Sequence, residues 1–182
     1  MSDLKAKIQD VFNEPACDKN AAKSDKERKK GCSKPLTPGA AAGGCAYDGA
    51  KIVLQPIVDA AHLVHGPLAC EGNGWDNRHA ASSGPQLYRM SFTTDMSELD
   101  IVMGQGEKKL WKAIRELIER RAPPAIFVYS TCVTALIGDD IDAVCRRASE
   151  KFGTPVIPVN APGFAGSKNL GNKLAGETLL DN

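Results

Sequence analysis

The sequence of 182 residues predicts an α/β fold built around a parallel sheet. From about residue 61 onward, short apolar runs alternate with stretches of helical periodicity, which is the pattern of βαβ units. Two of these runs, residues 125–129 and 155–159, are almost wholly apolar, as is typical of strands buried on both faces of a parallel sheet.

Composition and charge exclude several classes of protein. Hydrophobic residues make up 42% and charged residues 25%, which is ordinary globular usage and argues against disorder, collagen or a coiled-coil rod. No window approaches 18 consecutive apolar residues, and the first residues lack the apolar stretch of a signal peptide, so we expect a cytoplasmic protein. The net charge of +1 gives no electrostatic footprint for nucleic acid or anionic lipid.

The chain divides into two predicted parts. Residues 1–44 form an N-terminal helix, over residues 1–12, followed by a flexible arm that is rich in lysine, proline and glycine. Residues 45–182 form an α/β domain. The arm has too few apolar residues to offset the entropy of ordering it.

The first half of the domain contains weaker signals. Residues 61–65 are predicted as a strand that ends at Gly66 and Pro67. A loop follows over residues 71–85 because glycine, asparagine and serine dominate it. Residues 87–92 alternate and favour a second strand, and Asp95 with Glu98 resembles the capping box of a short helix.

The second half is clearer. Residues 105–121 place apolar side chains on one stripe of a helix that two prolines then end. After the strand at 125–129, Asp139 and Asp140 begin a second helix. Its inner face is Ile141, Val144, Cys145, Ala148 and Phe152. The strand at 155–159 and a helix over residues 167–180 complete the pattern.

Six cysteines are the unusual feature, and in a cytosolic chain they favour metal binding or burial over disulfides. Cys45, Cys70 and Cys132 are predicted in turns beside apolar elements, where a thiolate could be held rigidly. The absence of a CxxC pair argues against zinc, whereas iron–sulfur clusters accept widely spaced cysteines and usually need four. A fourth ligand would then come from another chain, from a residue other than cysteine, or from the arm; alternatively, all six are ordinary reduced thiols.

The remaining candidates have simpler interpretations. Cys145 fits the core stripe of its helix, and Cys17 and Cys32 lie in the arm as exposed thiols or further ligands. His62 and His65 are expected to be hydrogen-bonded near the core, with a role beside Cys70 as the less favoured interpretation. The acidic residues at 139, 140 and 142 indicate helix capping and a solvated face rather than a cation site.

Several segments resemble the nitrogenase component 1 family. Those that carry the resemblance are residues 44–50, 65–70 and 132–141. Further segments are similar to the branch of that family that serves as a scaffold for the iron–molybdenum cofactor of nitrogen fixation, and these are residues 14–17, 31–35, 83–85, 139–145 and 166–171. The resemblance implies a Rossmann-like α/β domain, the first of several in the family, and we expect residues 45–182 to be an incomplete copy of it.

The resemblance also implies a ligand set and partners. A scaffold subunit of this kind pairs with NifN in a heterotetramer of two such pairs, and a 4Fe-4S cluster lies between the two subunits of each pair. Cys45, Cys70 and Cys132 would supply three ligands and NifN the fourth. NifB, the nitrogenase iron protein and the catalytic molybdenum–iron protein would be transient partners, and no catalytic residue is implied in this chain.

Two further expectations follow from the resemblance. Members of the family are much longer than this chain, and the cysteine that anchors the cofactor precursor lies in their later part, so we expect that anchor to be absent here. The catalytic alpha chain of nitrogenase carries glutamine and histidine near its cofactor where this chain has Lys168 and Asn172. A catalytic alpha chain and a metal-free α/β interaction module are the alternatives to a scaffold.

Overall fold

The computed structural model describes residues 44–76 and 90–182, with no side-chain description for residues 73–76. Its strands are β1 Ala61–His65, β2 Ser91–Thr93, β3 Ile126–Ser130 and β4 Val156–Val159. Its helices are α1 Ala46–Leu54, α2 Leu68–Asp76, α3 Glu98–Val102, α4 Gly106–Arg121, α5 Cys132–Ile137, α6 Ile141–Phe152 and α7 Lys168–Asp181, with a 3-10 turn at Gly163–Ala165.

The four strands form one parallel sheet in the order β2-β1-β3-β4. The central pair is in register along its whole length, from Ala61 opposite Ile126 to His65 opposite Ser130. Because all strands run in the same direction, their carboxyl ends share one edge, where ligands of open α/β sheets bind.

The sheet is buried on both faces, since alternate residues of each strand point to opposite sides. On one face Leu63 and Val128 pack against α4 and α6; on the other, Val64 and Tyr129 pack against α1 and α7. Both central strands are buried at every position. This two-sided burial explains their uninterrupted apolar runs.

Helices α1 and α7 contact each other through backbone. A Cβ atom built on Gly171 would lie 1.8 Å from the carbonyl oxygen of Ala46, and one built on Gly49 would lie 2.0 Å from that of Lys168. An isolated antiparallel bridge between Cys45 and Ser167 joins the starts of the two helices. Because these two glycines have no side chain, α1 and α7 pack closely together. Cys45, just before α1, therefore lies next to the start of α7.

The α/β fold with a parallel sheet is confirmed. The strongly patterned elements of the second half lie where the sequence predicts them, within one or two residues. They are α4, β3, α6, β4 and α7. Asp140 caps α6 by accepting a hydrogen bond from the Ala143 amide at 2.9 Å.

Three local predictions were wrong in whole or in part. Part of the predicted loop is helical, because α2 extends to Asp76. Of the strand predicted over residues 87–92, residues 91 and 92 lie in β2, residue 90 lies in a 3-10 turn, and residues 87–89 are outside the described residues. The capping box of α3 is formed by Ser97 and Asp100 instead of Asp95 and Glu98.

Residues 1–43, which hold the predicted helix and nearly all of the arm, lie outside the described residues. Cys17, Cys32 and His79 also lie outside them. Within the described ranges, none of the helices is both long and apolar enough to cross a membrane.

Candidate metal centre

The three candidate ligands lie at helix starts rather than in turns. Cys45 is the N-cap of α1, Cys70 lies in the first turn of α2, and Cys132 is the first residue of α5. Helices α2 and α5 follow directly from the carboxyl ends of β1 and β3. Parallel pairing thus brings two of the cysteines to the same edge of the sheet, and the bridge between Cys45 and Ser167 brings the third.

Gly163 shows how close the sulfurs are. A Cβ atom built on this glycine would lie 2.9 Å from Cys132 Sγ and 3.1 Å from Cys45 Sγ. Cys70 is also near, because the other two sulfurs act electrostatically on its thiol. All three are free and half-buried. The structure therefore brings together the three cysteines that the sequence singled out.

Opposing effects act on the thiols. The amino end of α2 carries partial positive charge, which favours a thiolate at Cys70. At Cys70, however, burial raises the pKa, and the neighbouring Cys132 and Cys45 raise it further. The thiolates repel one another unless a cation neutralises them, which is the role a metal centre plays.

The donor set fits a cluster better than a single ion. Among the described residues, no three His, Cys, Asp or Glu side chains converge to hold one metal ion. Soft thiolate ligands select iron–sulfur clusters among polynuclear centres, and in a cluster each cysteine binds a different iron. Gly163 supplies the space, since a side chain there would occupy the region that Cys45 and Cys132 face.

Hydrogen bonds hold the peptide before Cys132 against the end of β1. The Thr131 hydroxyl donates to the His65 carbonyl at 3.0 Å, and the Thr134 hydroxyl lies 3.3 Å from the same oxygen. Gly66 allows this contact, because its Cβ would lie 2.3 Å from Thr131 Oγ1. The start of α5, which carries Cys132, is therefore fixed to the end of β1, from which the chain continues to Cys70 in α2.

Both described histidines are buried and hydrogen-bonded, as expected. His62 pairs with the Tyr129 hydroxyl at 2.8 Å and with the Ile57 carbonyl at 3.1 Å. His65 contacts Thr94 Oγ1 at 3.1 Å and Asp139 Oδ2 at 3.0 Å. Burial lowers the pKa of each histidine to about 4.

Asp139 differs from its predicted role. Instead of belonging to a solvated helix face, its side chain is mostly buried and holds His65 at the end of β1. Burial raises the pKa of Asp139, and the nearby Glu107 raises it further. Gly106 leaves room for this carboxylate, since a Cβ there would lie 2.1 Å from Asp139 Oδ2.

A buried ion pair next to Cys70 was missed by the sequence analysis. Lys51 of α1 and Glu71 of α2 form a salt bridge in which both side chains are almost fully buried. Ser91 of β2 donates a hydrogen bond to Glu71 at 2.7 Å. The available signal was a lysine on the apolar face of α1, which needs a carboxylate partner when it is buried.

At the other end of the site, α7 contacts α1 through polar side chains. Lys168 Nζ lies 3.1 Å from Asp48 Oδ2. The Asn172 amide nitrogen, turned toward α1, donates to the Gly49 carbonyl at 2.9 Å. Both side chains are thus engaged in helix packing.

Three exposed apolar side chains are close in sequence to the residues of the site. Leu68 precedes Cys70 by two residues, Leu136 follows Cys132 by four, and Phe164 is adjacent to Gly163. Their exposed fractions are 59%, 76% and 46%.

Cys145, in contrast to the three candidate ligands, is fully buried in the core. Burial raises the pKa of its thiol to about 12, and its position in the core agrees with the prediction of a structural thiol.

Comparisons with known proteins give the family. The sequence model of the protein family described as nitrogenase component 1 type oxidoreductase matches residues 45–182. The nitrogenase iron-molybdenum cofactor biosynthesis protein NifE of Mesorhizobium japonicum is 78% identical over 181 residues, which are 100% of this chain and 36% of that protein. The protein of that name from Klebsiella pneumoniae is 53% identical over 93% of this chain and 36% of its own length.

A solved structure described as nitrogenase Cp1 at pH 6.5 has a TM-score of 0.72 and 39% sequence identity. It matches 82% of this chain and 30% of that chain. The chain therefore spans little more than a third of the length of the curated relatives given above.

Proposed function

The chain belongs to the nitrogenase component 1 type oxidoreductase family, and on that premise we propose that it is part of a scaffold subunit for biosynthesis of the iron–molybdenum cofactor. In this proposal Cys45, Cys70 and Cys132 bind three irons of a 4Fe-4S cluster. The observation that carries it is the proximity of the three thiols: the Cys45 and Cys132 sulfurs lie next to Gly163, and both act electrostatically on the Cys70 thiol.

The fourth ligand comes from the partner subunit, NifN, in a heterotetramer of two pairs. Two observations support a shared site. The three thiols are only half-buried, so one side of the site is open. The exposed Leu68, Leu136 and Phe164 are close in sequence to Cys70, Cys132 and Gly163, and apolar surface near a polar centre is typical of a protein interface.

A scaffold is favoured over a catalytic alpha chain. The relatives at 53% and 78% identity carry the name of the biosynthesis protein, whereas the nitrogenase structure is 39% identical. Lys168 and Asn172 also support this choice, because their side chains hold α1 and α7 together. A side chain held in helix packing is poorly placed to act on a substrate at a cofactor.

Within this function the chain's residues bind and position the cluster. When bound, a cluster of this type supplies redox-active iron and structural cross-linking between subunits. The hydrogen bond from Thr131 to the His65 carbonyl positions the helix starts after β1 and β3, where Cys70 and Cys132 lie. The bridge to Ser167 positions Cys45. NifB, the nitrogenase iron protein and the catalytic molybdenum–iron protein would act as transient partners of the whole scaffold.

A chimera tests this function. This chain replaces the matching segment of the Mesorhizobium japonicum relative in a strain lacking that protein, and cofactor delivered to the catalytic protein is measured. We expect cofactor synthesis from the chimera and from its Cys145→Ala control, and loss of synthesis from Cys45→Ala, Cys70→Ala or Cys132→Ala. Normal synthesis with all three cysteines replaced would overturn the ligand assignment.

A further inference from the structure

The hydroxyl of Tyr47 is a buried polar group without a hydrogen-bond partner in the described part of the chain. Its side chain is 2% exposed. Such a group loses its hydrogen bonds to water and gains none in return, so it is rare in folded proteins and calls for an explanation.

Tyr47 lies beside the proposed cluster. It is the second residue of α1, two positions after the N-cap Cys45, and it belongs to the core cluster against which Cys45 and Cys70 pack. Cys70 and Glu71 are both close enough to act electrostatically on the phenol.

The nearby polar groups are already engaged. The Tyr129 hydroxyl pairs with His62 at 2.8 Å, and its ring meets that of Tyr47 edge-on with 6.1 Å between the centroids. The Glu71 carboxylate binds Lys51 and Ser91, and Asp48 binds Lys168. Of the described titratable groups that act on the phenol, Cys70 is the one that remains. Its sulfur accepts a hydrogen bond weakly as a thiol and much more strongly as an iron-bound thiolate.

We propose that Tyr47 is a positioning residue whose hydroxyl donates a hydrogen bond to the Cys70 sulfur when that sulfur binds iron. This inference rests on the proposed function, since it requires a cluster at the three cysteines. A hydrogen bond to a cluster sulfur stabilises the more negative, reduced state and raises the reduction potential. Tyr47 therefore tunes the cluster without being one of its ligands.

The proposal predicts opposite effects in the two states of the protein. Without metal, Tyr47→Phe removes an unsatisfied polar group and leaves the melting temperature unchanged or raised. With the cluster bound, the same change removes a hydrogen bond from the sulfur. The midpoint potential then becomes more negative, and iron is lost to a chelator several-fold to about tenfold faster.

The experiment uses the complex with NifN, prepared without oxygen. Iron content comes first: a wild-type complex without iron would overturn the proposed function itself. Redox titration followed by electron paramagnetic resonance then compares the wild type with Tyr47→Phe and with Tyr129→Phe, a matched control that removes a hydroxyl from the neighbouring ring. We expect a negative shift for Tyr47→Phe only.

Two results would overturn the role of Tyr47 while leaving the cluster in place. One is a Tyr47→Phe complex with full iron and the wild-type potential. The other is a lowered melting temperature of the metal-free Tyr47→Phe chain, which would assign the hydroxyl to core stability alone.

Discussion

At the scale of single residues, Gly163 defines the space between the thiols. It contacts Cys45 and Cys132 so closely that a methyl group would lie within about 3 Å of both sulfurs. The sequence offered no signal for this role, because Gly163 is far from every cysteine along the chain. The packing of Cys45 and Cys70 beside apolar elements and the burial of Cys145 in a core stripe could be predicted, whereas the role of the thiols as ligands stays a prediction.

Gly163→Ala should impair the metal centre more than the fold. The added methyl pushes the Cys45 and Cys132 sulfurs apart, so we expect the complex with NifN to lose most of its iron. The matched control is Gly176→Ala in α7, where a Cβ meets nothing within 4 Å and alanine stabilises a helix by up to about 1 kcal/mol. Iron content and thermal unfolding are the measurements; wild-type iron in Gly163→Ala would contradict the arrangement.

At the scale of elements, helix α2 shows where local sequence is insufficient. Residues 71–76 include two glycines and an asparagine, which are poor helix formers, and the pattern accordingly predicts a loop. The helix persists because Glu71 reaches Lys51 in α1 and Ser91 in β2, contacts that are 20 residues away in sequence. Helices α4 and α6 were predictable because their own apolar stripes determine their packing.

Glu71→Gln should destabilise the protein strongly. It removes the carboxylate that balances the charge of buried Lys51, and breaking such a pair costs about 3 kcal/mol or more. The control, Glu177→Gln, breaks the exposed Lys173–Glu177 pair and should cost less than about 1 kcal/mol. Urea unfolding measures both; equal effects would show that the Lys51–Glu71 pair does not stabilise the attachment of α2.

At the scale of the whole molecule, two buried histidines make stability depend on pH. Burial lowers the pKa of His62 and His65 to about 4, whereas an unfolded histidine titrates near about 6.5. Between these values the unfolded chain binds protons that the folded chain does not. The stability contributed by the neutral histidines is therefore present above pH about 6.5 and is lost as the pH falls toward 4.

The free energy of unfolding should fall by about 1.5 kcal/mol per histidine between pH 6.5 and pH 5. Urea unfolding at these two pH values measures the change. His62→Gln, which cannot take up a proton, should lose roughly half of the dependence. A stability that is flat over this interval would contradict the burial of both imidazoles in neutral form.

The central claim is that Cys45, Cys70 and Cys132 hold a cluster completed by the partner subunit. Its most direct test is iron analysis with Mössbauer spectroscopy on the anaerobic complex with NifN. If the two subunits share the cluster, the complex contains about four irons per pair of this chain and NifN and gives a 4Fe-4S spectrum. The account predicts loss of that spectrum in each of Cys45→Ala, Cys70→Ala and Cys132→Ala, and its retention in Cys145→Ala. A full 4Fe-4S spectrum in any of the three ligand variants would contradict the claim.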